Sequence, residues 1–140
     1  MNVQELEDPD ELQEAYCLLT QLYSDLSEDR FERELPAMRE DGYRLFGLYE
    51  NGTLRSVAGV NVVTNFANGR HVYLYDLVTE ETDRSRGYGK ALLEFVERWG
   101  EQRGCSTVKL ITGTDREKAH EFYGKRMDYD RTGYVFKGKL

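Results

Sequence analysis

At 140 residues the chain has the length of one domain. A hydrophobic share of 39% and an aromatic share of 12% are those of a folded globule and exclude a disordered chain. The formal net charge of −7 argues against a general nucleic-acid binder, which needs a basic stripe, and favours a cationic partner such as an amine.

Asn2 to Leu6 reads as a short first strand. Asp8-Pro9-Asp10-Glu11 then starts a helix: Asp8 caps, Pro9 suits the first helical position and Glu11 completes a capping box. Leu12, Tyr16, Leu19 and Tyr23 follow at helical spacing on one buried face. Ser27 caps a second helix with the stripe Phe31, Leu35, Met38, in which Pro36 is expected to break or kink the chain. From Tyr43 the period becomes two. Tyr43–Glu50 and Thr53–Val63 are expected to pair as strands across Asn51-Gly52, a strong hairpin turn, and a second turn at Asn65–Gly69 leads into a strand from His71 to Thr79.

Ser85-Arg86-Gly87-Tyr88-Gly89 opens a helix with Tyr88, Leu92, Phe95, Val96 and Trp99 on one face, ending near Gly104. Thr107–Thr112 is expected as a buried strand, and Thr114 with Glu117 as the capping box of a helix through Tyr123. Thr132–Lys139 alternates and is expected as a last strand. The order β-α-α-β-β-β-α-β-α-β predicts an α/β fold of the α+β mixed-sheet kind, a mostly antiparallel twisted sheet flanked by helices, with residues 1–140 forming one domain. No run of about 18 apolar residues is present, so no membrane span is expected. Met1–Glu5 lacks a basic segment followed by an apolar one, so no secretory signal is expected either. Cys17 and Cys105 lie in apolar contexts and are expected as buried free thiols in a reducing cytoplasm. With two Cys and two His, no metal site is expected. The acidic excess, with Arg more common than Lys, fits a high-salt organism and an ordinary acidic cytosolic protein equally.

The sharpest local feature is Arg84-Ser85-Arg86-Gly87-Tyr88-Gly89-Lys90-Ala91, between a strand and an amphipathic helix. Glycines in a tight turn let backbone approach a ligand, and the first N–H groups of the following helix lack intrahelical partners. Together with the helix dipole they suit a diphosphate, and Arg84, Arg86 and Lys90 add cations in an otherwise acidic chain. A P-loop is excluded because Ala91 follows Lys90, and a dinucleotide fingerprint because position 92 is Leu92.

The stretch Tyr75–Leu93, YDLVTEETDRSRGYGKALL, resembles motif A of the GNAT (GCN5-related) N-acetyltransferases, whose signature is Q/R-x-x-G-x-G/A. Ala119-His120-Glu121-Phe122-Tyr123 is similar to motif B, and the element order matches that fold over nearly the whole chain. Two positions depart from the family pattern: Arg116 stands where many relatives have Asn, and Arg126-Met127-Asp128-Tyr129 replaces a Leu-Gly-Phe turn.

The resemblance implies acetyl transfer from acetyl-CoA to a primary amine, on a small molecule or a protein, by direct attack in a ternary complex. It implies that the backbone of Leu77, Val78 and Thr79 pairs with the pantetheine arm and that Arg84, Ser85, Arg86, Gly87, Tyr88, Gly89 and Lys90 hold the pyrophosphate. Tyr123 falls where the family places a tyrosine near the thioester sulfur. A phenol can supply a proton to a leaving thiolate, so Tyr123 is either general acid or a core aromatic under the coenzyme. Asp76 falls where the family often carries an acid, and it is either the base, acting directly or through water, or a structural carboxylate. Tyr75, with residues before Tyr43, is expected to line the acceptor site. Family members are often homodimers. A non-catalytic acyl-CoA-binding module on the same fold is the alternative.

Overall fold

The computed structural model describes residues 1–140 and comprises two compact units, Met1–Lys109 and Leu110–Leu140. The first opens with β1 (Asn2–Glu5), α1 (Pro9–Leu19) and α2 (Glu28–Glu40), continues through β2 (Arg44–Glu50), β3 (Thr53–Asn65) and β4 (Gly69–Thr79), and then runs into α3 (Tyr88–Glu101). β5 (Val108–Leu110) follows, and the sheet order is β1-β2-β3-β4-β5. The first four strands pair antiparallel, while β5 is reached through the α3 crossover, the connection that makes a sheet mixed.

Successive residues of β2 sort the two layers. Leu45 joins Leu6, Ala15, Leu18, Leu19, Leu35, Val57 and Val78 in the core under α1 and α2. Its neighbour Phe46 points the other way and meets the rings of Phe95 and Trp99 of α3 at 5.2 and 5.5 Å. The hairpin turn is built as its sequence requires: Asn51 and Gly52 both take positive φ, 53° and 76°. At the start of α1 the Glu11 carboxylate accepts the Asp8 N–H at 3.2 Å, and Ser27 Oγ accepts the Arg30 N–H at the start of α2.

Several sequence expectations are corrected. α2 runs unbroken through Pro36. The hydrogen bond that Pro36 cannot donate would have gone to the carbonyl of Glu32, and both residues are exposed, so water can take its place. Tyr23 is not on α1, which ends at Leu19; it lies in the following turn, its N–H bonded to the Leu19 carbonyl at 2.8 Å. Cys17 is exposed and Cys105 half-buried, because α1 turns Ala15, Leu18 and Leu19 inward and Cys17 outward.

In the second unit, α4 (Glu117–Glu121) passes into a π-helical turn, Phe122–Arg126. Arg116, rather than Thr114, precedes the helix. Gly113 explains this, since its carbonyl takes the Arg116 N–H at 3.2 Å and His120 Nε2 at 2.8 Å, using Thr114 and Asp115 in a turn. The expected strand at Thr132–Lys139 does not form, so the order ends in α4. Alternation makes a segment competent to pair but does not by itself form a strand, and Tyr134 and Phe136 stand 89% and 93% exposed. No helix of the chain is long and apolar enough to cross a membrane.

Candidate active site

The site begins with an irregularity in β4. Gly59 of β3 faces Asp76 and Val60 faces Leu74, so Tyr75 is an extra residue on β4. Such a bulge breaks strict alternation and re-aims side chains. Here it lets the consecutive residues Tyr75 and Asp76 line the same cavity, of about 420 Å³, between α1, α2 and the sheet.

Asp76 is 6% exposed. Each carboxylate oxygen accepts a tyrosine hydroxyl: Tyr23 donates to Oδ1, and Tyr43, just before β2, donates to Oδ2 at 2.5 Å. A Cβ at residue 59 would overlap both the Tyr43 hydroxyl and Asp76 Oδ2, so this arrangement requires glycine there. Burial raises the Asp76 carboxyl above the usual carboxylate range, and the two tyrosine hydrogen bonds partly offset it. Burial first, and then the charge of Asp76, push the Tyr43 hydroxyl well above the ordinary phenol value, which keeps it a donor. The ring of Tyr75 packs on Tyr43 at 5.6 Å and on Tyr73 at 4.7 Å.

A second group of features lies at the start of α3. Ser85 and Gly87 both adopt left-handed φ, 69° and 87°, and a Cβ added at Gly87 would meet open space. Gly87 caps a 14-residue helix with no acidic residue in its first turn. Arg84, Arg86 and Lys90 are exposed around it, with Tyr88 and Gly89 half-buried. This combination of unpaired amides, helix dipole and cations can hold a diphosphate. The loop is tied down from below. Buried Asp83 pairs with Arg55 at 3.0 Å and with Arg86 at 3.6 Å, Arg84 Nε donates to the Thr79 carbonyl at 3.2 Å, and Gln21 bridges the Glu81 N–H and the Glu80 carboxylate, each at 3.0 Å.

Leu77, Val78 and Thr79 close β4, paired with Ala58, Val57 and Ser56. The N–H of Val72 bonds to the Thr107 carbonyl, which anchors β5 near the start of β4. β5 ends three residues later, at Leu110, while β4 runs on to Thr79, so the last residues of that edge lie beyond β5. Tyr123 lies in the π-helical turn of the second unit, half-buried, with its ring 5.1 Å from Phe122 and 5.9 Å from Tyr129. The structure therefore gathers Asp76 and Tyr75 in one cavity and the Arg84–Lys90 residues at one helix start. Sequence reading did not single out Tyr23, Tyr43, Gly59, Arg55, Gln21 or Asp83. A glycine inside a strand pattern was the available signal for the first three, since it marks a bulge or a close approach. Nothing local marks the partnership of Arg55 and Asp83, which are 28 residues apart.

The sequence profile of the Acetyltransferase (GNAT) family matches residues 6–129. The chain belongs to the GNAT acetyltransferase family. It is 32% identical over 138 residues, 98% of this chain and 97% of the relative, to a protein of Bacillus subtilis (strain 168) described as the uncharacterized N-acetyltransferase YhdJ. The fold is likewise that of solved GNAT-type structures. The aminoglycoside N-acetyltransferase AAC(6')-Iy in complex with CoA superposes with a TM-score of 0.83 at 20% identity, covering 99% of this chain and 93% of that one. The aminoglycoside acetyltransferase meta-AAC0020, from an uncultured soil metagenomic sample and in complex with sisomicin, gives 0.82 at 14% identity, covering 99% and 95%. As a GNAT enzyme the protein is an acyltransferase whose co-substrate is acetyl-CoA, and the amide-rich, cationic start of α3 is a fitting seat for that molecule's diphosphate.

Proposed function

We propose that the chain works as one catalytic domain that acetylates a primary amine, with the amine attacking the thioester directly while both substrates are bound. The observation that carries this reading is a buried carboxylate, Asp76, at the wall of a cavity whose rim includes Asp25, Glu34 and the rings of Phe31 and Tyr75. Aromatic faces and carboxylates are what an ammonium group seeks. Aminoglycoside acetyltransferases share the fold, which makes polycationic amines a sensible first panel.

The proposed roles divide by position. The amides from Ser85 to Lys90, with Arg84, Arg86 and Lys90, hold the diphosphate of acetyl-CoA, and the end of the β4 edge at Leu77, Val78 and Thr79 receives the pantetheine arm. Acetyl-CoA supplies an activated acetyl group. Asp76 accepts the proton that the acceptor ammonium must lose, and its raised carboxyl makes it a better base than an exposed aspartate. Tyr123 gives a proton to the departing thiolate, a role assigned from its place in motif B. An exposed Cys17 thiol suits a reducing cytoplasm, and we propose that location. A homodimer is the assembly proposed by family habit.

The test is thiol release from acetyl-CoA over a panel of primary amines, with mass spectrometry detecting the acetylated product. Turnover that falls at least about 100-fold in D76N and Y123F supports the assignment, the range expected for loss of a proton-transfer group. Tight CoA binding with no turnover on any amine points instead to a non-catalytic acyl-CoA-binding module.

A further inference from the structure

Taking Asp76 as the base, we infer that Tyr23 is the group that meets the acceptor amine and hands its proton to Asp76, while Tyr43 acts as a positioning residue that holds the carboxylate in place. Asp76 is 6% exposed and each of its oxygens carries a tyrosine hydroxyl, whereas Tyr23 is 40% exposed and lines the cavity. The two tyrosines differ in kind. Tyr43 is buried in the core and bonded to the inner oxygen, Oδ2. Tyr23 sits in the turn after α1, with its hydroxyl on Oδ1 and 3.3 Å from the Tyr75 carbonyl. The other charged or titratable groups on the cavity are Asp25, just after Tyr23, Arg30 and Glu34 of α2, and Tyr75 of β4; across from Asp76, β3 offers only Gly59.

The step balances without any further reactant. One N–H bond of the ammonium breaks as its proton moves to the Tyr23 oxygen, and the Tyr23 O–H proton moves to Asp76 Oδ1. The products are a neutral amine with a free electron pair, an unchanged tyrosine and a protonated Asp76, which returns its proton to solvent by the same path.

The experiment follows thiol release by wild type, Y23F, Y23H, Y43F and D76N from pH 5 to 9, with two amine probes. n-Propylamine is a cation at neutral pH and hydroxylamine is neutral there. The inference expects Y23F to lower kcat for n-propylamine at least about tenfold with KM little changed. The loss shrinks to within about threefold for hydroxylamine, which has no proton to shed before attack. Y23H, whose imidazole can also relay, recovers part of the loss. Y43F keeps most of the plateau kcat and moves the acidic limb of the pH profile upward, because it removes a hydrogen bond that favours the charged carboxylate. Wild-type kcat in Y23F beside a crippled D76N would overturn the relay while leaving Asp76 as base. Equal losses in Y23F for both probes, confined to KM, would make Tyr23 a structural residue and overturn it as well. Wild-type kcat and an unmoved acidic limb in D76N, or no turnover with either probe by protein that binds CoA, would overturn the reading of Asp76 on which the relay rests.

Discussion

Arg55 of β3 holds Asp83 at 3.0 Å, joining the middle of the sheet to the loop that presents the start of α3. Asp83 is nearly inaccessible, while its second partner, Arg86, is 63% exposed and adds little. Asp83→Asn is therefore expected to loosen the loop rather than the chemistry. KM for acetyl-CoA rises about tenfold, kcat stays within about threefold, and stability falls by about 1–3 kcal/mol as the Arg55 charge loses its partner. Steady-state kinetics and urea unfolding of the variant check both parts.

Gly87 combines a left-handed backbone with empty surroundings. Gly87→Ala meets no clash, so its cost is conformational, about 1–2 kcal/mol, which lowers Tm by roughly 3–8 °C. In the proposed binding mode a methyl group also stands where the diphosphate approaches the amides. CoA affinity measured by calorimetry is expected to drop at least about tenfold, more than the loss of stability explains.

Gly59 answers for the opposite reason, because there is no room beside it. In Gly59→Ala the methyl must displace the Tyr43 hydroxyl or the Asp76 carboxylate. Overpacking of this kind costs about 1–3 kcal/mol. The expected result is a stability loss in that range together with a fall in kcat close to that of D76N. A variant that retains wild-type kcat would mean that the Asp76 carboxylate keeps its place without the close fit at residue 59.

Asp76 also predicts a trade between activity and stability. Its carboxyl is raised in the fold, mainly by burial, so ionising it opposes folding. That opposition is absent below the unfolded carboxyl value near 3.9, grows as pH rises through the raised folded value, and is constant above it. Asp76→Asn removes the ionisation. Its Tm is expected to exceed that of the wild type at pH 7–8, with the gain vanishing near pH 4, while kcat collapses. Thermal melts across that pH range read the sign directly.

Most of the framework was legible because it is written in local signals. Asn51-Gly52 fixes a hairpin, Ser27 a helix start, and the alternation from Tyr43 onward the antiparallel strands. The turn from Arg84 to Lys90 into an amphipathic helix was equally plain, since its glycines mark the left-handed backbone seen at Gly87. What escaped was set by partners rather than by pattern. Pro36 sits inside a helix because its missing bond faces water, and the tail from Thr132 alternates yet forms no strand. Tyr23 and Tyr43 looked like packing residues, and their hydroxyls acquire meaning only when the fold brings Asp76 between them.

The bulge at Tyr75 has a consequence for how this chain can vary. Strand side chains are sorted by parity, and one odd residue between Leu74 and Asp76 reverses the count for everything that follows. Deleting it would make Asp76 the direct neighbour of Leu74, still opposite Gly59 and still facing the tyrosine pair, and would take only the Tyr75 ring from the cavity wall. The inserted residue thus adds an aromatic wall beside the acid while leaving the pairing on either side of it intact.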